Sequence, residues 1–141
     1  MAGSKKISKA QYELLASFRF ALRRFLRFSE DAAHRAGLTP QQHQALLAIK
    51  GFPGRGHVTV GELAERLQIA HHSTVGLIDR LAAEKLVVRE VSTQDRRRVF
   101  ILLTRHGEAV LEKLSSAHRT QLRRIGPEIG TLLERLGKME E

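Results

Sequence analysis

Cysteine is absent from the 141 residues, which excludes a disulfide framework, a thiolate metal site and thiol-based redox sensing. No stretch approaches the roughly 18 uninterrupted apolar residues of a membrane span, and no apolar signal-peptide core follows the N-terminal lysines. A cytoplasmic protein is therefore expected. There is no internal repeat and no low-complexity tract. The three prolines stand at boundaries: Pro40 at a helix start, Pro53 in the loop FPGRGH (52–57), and Pro127 after Gly126. That loop has no phosphate-cradle spacing and no following GK[ST], so it implies no nucleotide site. Ser73 and Ser92 lack a nucleophile-elbow context, and Asp79 and Asp95 sit beside arginines as structural ion pairs do, so no enzyme is expected. Seven histidines are present (His34, His43, His57, His71, His72, His106, His118). None forms a His-x-x-x-His or HExxH pair on one helix face, so neither a metal nor another cofactor is expected.

Positive charge is in excess. Lys and Arg number 24 against 15 Asp and Glu, a formal net charge of +9 with a pI near 10.8. Such a balance calls for an acidic partner, and nucleic acid fits best. The length suits one domain with a single core.

The chain is organised around residues 59–104. Thr59 and Glu62 are spaced as a capping box, and Val60, Leu63, Ala64 and Leu67 follow at helical period. After a break at Gln68-Ile69-Ala70, a second helix is predicted from about His71 to Lys85, with Thr74, Ile78 and Leu81 facing the first. Its opposite side carries His71, His72, Ser73, Val75 and Gly76, short or polar groups able to approach base edges, with Arg80 one turn further on. Leu86–Val91 and Val99–Leu103 are β-branched and aliphatic, and the segment between them is polar and basic. A hairpin tipped by Arg96, Arg97 and Arg98 suits phosphates or a narrow minor groove. A solvated surface loop is the plainer alternative.

Around this unit, a long helix is predicted from about Ser8 to Ala36 on the stripe Leu14, Leu15, Phe18, Leu22, Phe25, Leu26 and Ala33, with Phe20 and Phe28 off the stripe. The polar residues 1–6 are expected to fray. Thr39-Pro40-Gln41-Gln42 starts a second helix with Leu46, Leu47 and Ile49 buried. Thr104 caps a further helix to about Ile125 on Val110, Leu111, Leu114, Leu122 and Ile125. Gly126-Pro127 is read as a break before a last helix marked by Ile129, Leu132, Leu133 and Leu136. The surplus apolar faces of the first helix (Phe18, Leu22, Phe25) and the last two (Leu122, Leu132, Leu136) predict a two-fold dimer.

These residues resemble the MarR (multiple antibiotic resistance regulator) winged helix-turn-helix regulators. The resemblance rests on LTPQQHQALLAI (38–49), ELAERL (62–67), DRL (79–81) with Leu86-Val87, and DRR followed by Leu103-Thr104. It implies a mainly α fold with a small β-hairpin wing, in one domain. A winged helix-turn-helix lobe would span about 38–104, with dimerisation helices at about 8–36 and 105–141. It further implies a homodimeric transcription regulator of the repressor kind, binding a pseudo-palindromic DNA operator and released by a small-molecule effector. Arg97 would enter the minor groove while Asp95 holds the wing. Three positions depart from the family pattern: its turn Gly is Gln68, a frequent recognition-helix Arg is Gly76, and its Gly before the wing strand is Lys85. With Gly76 in place, direct base reading falls to His71, His72, Ser73 and Val75. A winged-helix protein-interaction module without specific DNA binding is the competing reading, and the arginines clustered at the wing tip are the feature that discriminates, because protein docking does not require them.

Overall fold

The computed structural model describes residues 6–139. Of the start expected to fray, only Lys6 lies within them. The elements are α1 (Lys9–Arg35), α2 (Pro40–Lys50), β1 (His57–Val58), α3 (Val60–Leu67), α4 (His71–Ala83), β2 (Val87–Val91), β3 (Val99–Leu103) and α5 (Arg105–Gly137). They form two compact units, one from residues 32–115 and one from the terminal stretches, up to Asp31 and from Ser116.

The unit of residues 32–115 holds α2 to β3, the last turn of α1 and the first turns of α5. Its core includes Leu46, Ile49, Val58, Leu63, Ile78, Leu81 and Ile101, all without solvent exposure, with Ala33, Leu38, Leu111 and Leu114 around them. Thr39 caps α2, accepting from the Gln42 amide at 3.1 Å while the Gln42 side chain accepts from the Thr39 amide at 2.9 Å. On α2 the buried residues are Gln42, His43, Ala45, Leu46 and Ile49, whereas Leu47, expected inside, is 45% exposed. It lies roughly 100° around the helix from its neighbour Leu46 and so points away from the core. The sheet is antiparallel in the order β1-β3-β2. It has one more strand than the predicted hairpin, because His57, read as the end of the loop, and Val58 after it pair with Leu102 and Ile101. Val58, Val87 and Ile101 line its inner face against the helices.

Three helices end on one device. A residue one or two places past the helix takes a left-handed conformation, and the amide beyond it bonds back to the carbonyl five residues earlier, which satisfies an orphan acceptor. At α1 this is Gly37 (φ 79°), with the Leu38 amide donating to Ala33 O at 2.9 Å. At α3 it is Gln68 (φ 56°), with Ile69 donating to Ala64 O at 3.1 Å, and at α4 it is Lys85 (φ 60°), with Leu86 donating to Leu81 O at 2.9 Å. The two departures from glycine seen in the sequence thus sit where a side chain costs energy.

In the terminal unit, the apolar stripe of α1 runs through Leu14, Phe18, Ala21, Leu22, Phe25 and Phe28, buried or half-buried, while Leu15 and Leu26 are exposed. Phe28, expected off the stripe, packs edge-on against His118 at 5.3 Å between ring centroids, as Phe25 does at 6.0 Å. His118 Nε2 also lies 2.8 Å from the hydroxyl of buried Ser29. Several residues expected to face a second copy are therefore already partly covered within the chain, and the apolar groups left exposed include Tyr12, Leu15, Phe20, Leu26, Leu122 and Leu133.

The predicted break at Gly126-Pro127 does not occur: α5 continues through Pro127 to Gly137. Proline clashes chiefly with the Cβ and amide of the residue before it. Here that residue is glycine, which removes the Cβ part of the clash, while the missing amide donor and the ring's crowding of the carbonyl four residues earlier remain as costs the helix bears.

Candidate nucleic-acid interface

All the predicted contact residues fall within the unit of residues 32–115. The helix pair is fixed first. Thr59 accepts from the Glu62 amide at 3.2 Å, and Glu62 Oε1 accepts from the Thr59 amide at 2.9 Å, closing the capping box read from the sequence. Burial alone would raise the Glu62 pKa. The Thr59 hydrogen bonds and the Arg55 guanidinium, which pairs with the same carboxylate, outweigh it and hold the group below its ordinary value. Only Leu63 of the predicted α3 face is fully buried, with Val60 and Leu67 packed at the core margin and Ala64 half-buried.

On α4, Thr74, Leu77, Ile78 and Leu81 are buried, which turns the other side outward. Thr74 satisfies its buried hydroxyl by donating to Ala70 O at 2.9 Å. His71, His72, Ser73 and Arg80 are exposed, and Val75 and Gly76 are half-buried. The helix ends at Ala83, two residues before the predicted Lys85. A side chain added at Gly76 would meet Arg80 Nη1 at 3.6 Å. The Arg80 guanidinium thus lies back along the helix beside the spot that the missing side chain vacates. A glycine read as a gap is filled from one turn away, a relation invisible without the side-chain direction along a helix.

The wing turn is organised by two side chains. Ser92 Oγ accepts from the amides of Gln94 and Asp95, both at 3.2 Å. Asp95 accepts from the Arg97 amide at 3.0 Å and from Arg97 Nε at 3.1 Å, while the Arg98 amide donates to Asp95 O at 2.9 Å. The Arg97 side-chain and backbone hydrogen bonds hold the Asp95 carboxyl below the usual aspartate value. Arg97 remains 91% exposed while so paired. Among the described residues neither Arg96 nor Arg98 makes a salt bridge, although the Arg98 charge also acts on the Asp95 carboxylate, so the tip presents three cations around one carboxylate, with Arg97 held in place.

Two features were not legible from the sequence. Asp79, which neighbours Arg80 in the chain, pairs with Arg89 of β2. The loop read as plain connection carries Phe52, whose ring lies under the guanidinium groups of Arg55 and Arg66 at 4.5 and 5.0 Å. No group of three or more metal-binding side chains gathers among the described residues, and none of their helices is long and apolar enough to cross a membrane.

A helix pair with its second helix exposed, followed at once by an arginine-tipped hairpin, defines a winged helix-turn-helix protein. Residues 36–98 match the sequence model of the MarR family, which that segment resembles. It is 28% identical over 94 residues to the HTH-type transcriptional repressor MdtR of Bacillus subtilis, covering 67% of this chain and 59% of the relative. The chain thus spans about three-fifths of that relative's length. Its fold is that of AbsC, a MarR family transcriptional regulator from Streptomyces coelicolor (TM-score 0.74, 24% identity, 96% of this chain and 94% of that one). It is similarly that of a MepR variant from Staphylococcus aureus bound to an oligodeoxyribonucleotide (TM-score 0.67, 23% identity, 95% and 96%).

Proposed function

We propose that the protein is a cytoplasmic, homodimeric, sequence-specific DNA-binding repressor of the MarR kind, released from its operator by a small-molecule effector. The observation that carries this reading is the joint exposure, on one compact unit, of the α4 face (His71, His72, Ser73 and Arg80, with Val75 and Gly76 half-buried among them) and the wing tip (Arg96, Arg97, Arg98). The first offers groups for base edges, the second cations for a groove rich in negative potential. The net charge of +9 has the same sign. The oligonucleotide complex of the MepR variant and the repressor role of MdtR lie on the same side.

In this reading α4 enters the major groove, Arg97 reaches the minor groove, and Asp95 keeps the turn in shape. Two copies then meet successive grooves on one side of the duplex, so the site is a pseudo-palindrome with half-sites about 10 base pairs apart. Footprinting on a duplex selected from a random pool tests this. Two protected half-sites related by a dyad are expected, and a single protected patch without symmetry contradicts the arrangement.

A further inference from the structure

Beyond the core that α4 shares with Val87 and Ile101, one polar side-chain contact ties the recognition helix to the hairpin. Arg89 Nη2 of β2 donates to Asp79 Oδ1 on the outer side of α4. Among the described residues no other side-chain hydrogen bond or ion pair joins α4 to the hairpin. Arg89 stands opposite Ile101 on the inner face of the sheet. Its neighbours on that face toward the core, Val87 and Ile101, are buried, whereas the next positions outward, Val91 and Val99, are 53% and 36% exposed. The core therefore ends at Arg89, and the wing from Val91 to Val99 projects beyond it without apolar support.

We propose that the Asp79–Arg89 pair is a positioning strut, setting the angle between recognition helix and wing so that major-groove and minor-groove contacts form together. The inference rests on the DNA-binding reading for its functional consequence but not for its structural one. Side-chain exposures of 39% for Arg89 and 61% for Asp79 mean that the pair adds little to folding stability. Its effect would lie in geometry, where a small misplacement separates two contacts that must be made at once.

The sign of one substitution separates this role from bulk electrostatics. Asp79 is a negative charge beside the surface offered to a polyanion. If it acted only through its charge, neutralising it would strengthen binding. As a strut, it weakens binding when neutralised. Full-length D79N, R89Q, D79R and the D79R/R89D exchange are to be titrated, at several salt concentrations, against the duplex selected with the parent protein and against a random duplex. Backbone 15N order parameters of residues 91–99 are to be measured without DNA.

D79N and R89Q are expected to lose about tenfold on the selected duplex, with little change on random DNA or in Tm. Wing order parameters are expected to fall in both and to recover, together with affinity, in the exchange but not in D79R alone. D79N binding as tightly as the parent or tighter overturns the proposal. So does loss of affinity in R89Q alone with a salt slope lower by about one, which would make Arg89 a phosphate contact. Unchanged order parameters in both single variants overturn it as well. If the parent selects no duplex, the DNA-binding reading fails, and the order parameters still decide whether the strut exists.

Discussion

Lys85 holds a left-handed conformation that costs a side-chain-bearing residue about 1–2 kcal/mol, against roughly 0.5–1 kcal/mol that glycine loses in backbone freedom on folding. Its side chain makes no hydrogen bond or ion pair among the described residues, so Lys85→Gly is expected to stabilise the fold by about 0.5–1 kcal/mol, raising Tm by ~2–4 °C. Calorimetry showing a lower Tm would mean that the strain is absent. Gln68 occupies the same conformation, but its amide donates to Glu65 O at 2.7 Å, so the gain from glycine there is smaller. Gly76 raises the opposite question, since it lies inside α4 and an added Cβ meets only Arg80 Nη1 at ordinary contact distance. Gly76→Ala is expected to stabilise the helix by about 1 kcal/mol and to leave operator affinity within about twofold. Arg80→Ala, by contrast, is expected to cost roughly 1–3 kcal/mol of discrimination. Equal binding by the parent and Arg80→Ala in a gel shift would remove Arg80 from the reading surface.

At the scale of elements, helix starts were legible because caps are local: Thr39 with Gln42, and Thr59 with Glu62, are closed within four residues of chain. Wing strands were legible from their β-branched runs. What sequence could not show was pairing across distance. The short β1 exists only because β3 offers Leu102 and Ile101 to it, and the partner of Asp79 is a strand residue ten positions away. Among site residues, the exposure of His71, His72 and Ser73 followed from helical period, while the place of Arg80 over Gly76 did not. Gly126-Pro127 misled for a definable reason: part of proline's helix-breaking comes from the side chain that precedes it, and glycine has none. Pro127→Ala restores one amide donor without introducing a clash, so α5 is expected to gain about 1–3 kcal/mol. Unchanged or reduced thermal stability would show that Pro127 is accommodated in some other way.

At the scale of the molecule, Tyr12, Leu15, Phe20, Leu26, Leu122 and Leu133 of the terminal unit are exposed apolar side chains, and in the proposed homodimer a second copy covers them. Sedimentation is expected to show a dimer at micromolar concentration that Leu122→Glu with Leu133→Glu dissociates. A parent that sediments as a monomer contradicts the dimer. The claim that the basic wing and the exposed face of α4 form one DNA-reading surface is tested most directly by titrating parent, Arg97→Ala and His72→Ala against the selected duplex and random DNA over a range of salt. Removing a phosphate-neutralising cation lowers affinity for both DNAs and reduces the salt slope by about 0.9 per half-site, whereas removing a base contact lowers discrimination and leaves the slope nearly intact. The account predicts the first pattern for Arg97→Ala and the second for His72→Ala; parental binding and an unchanged slope in both variants would contradict it.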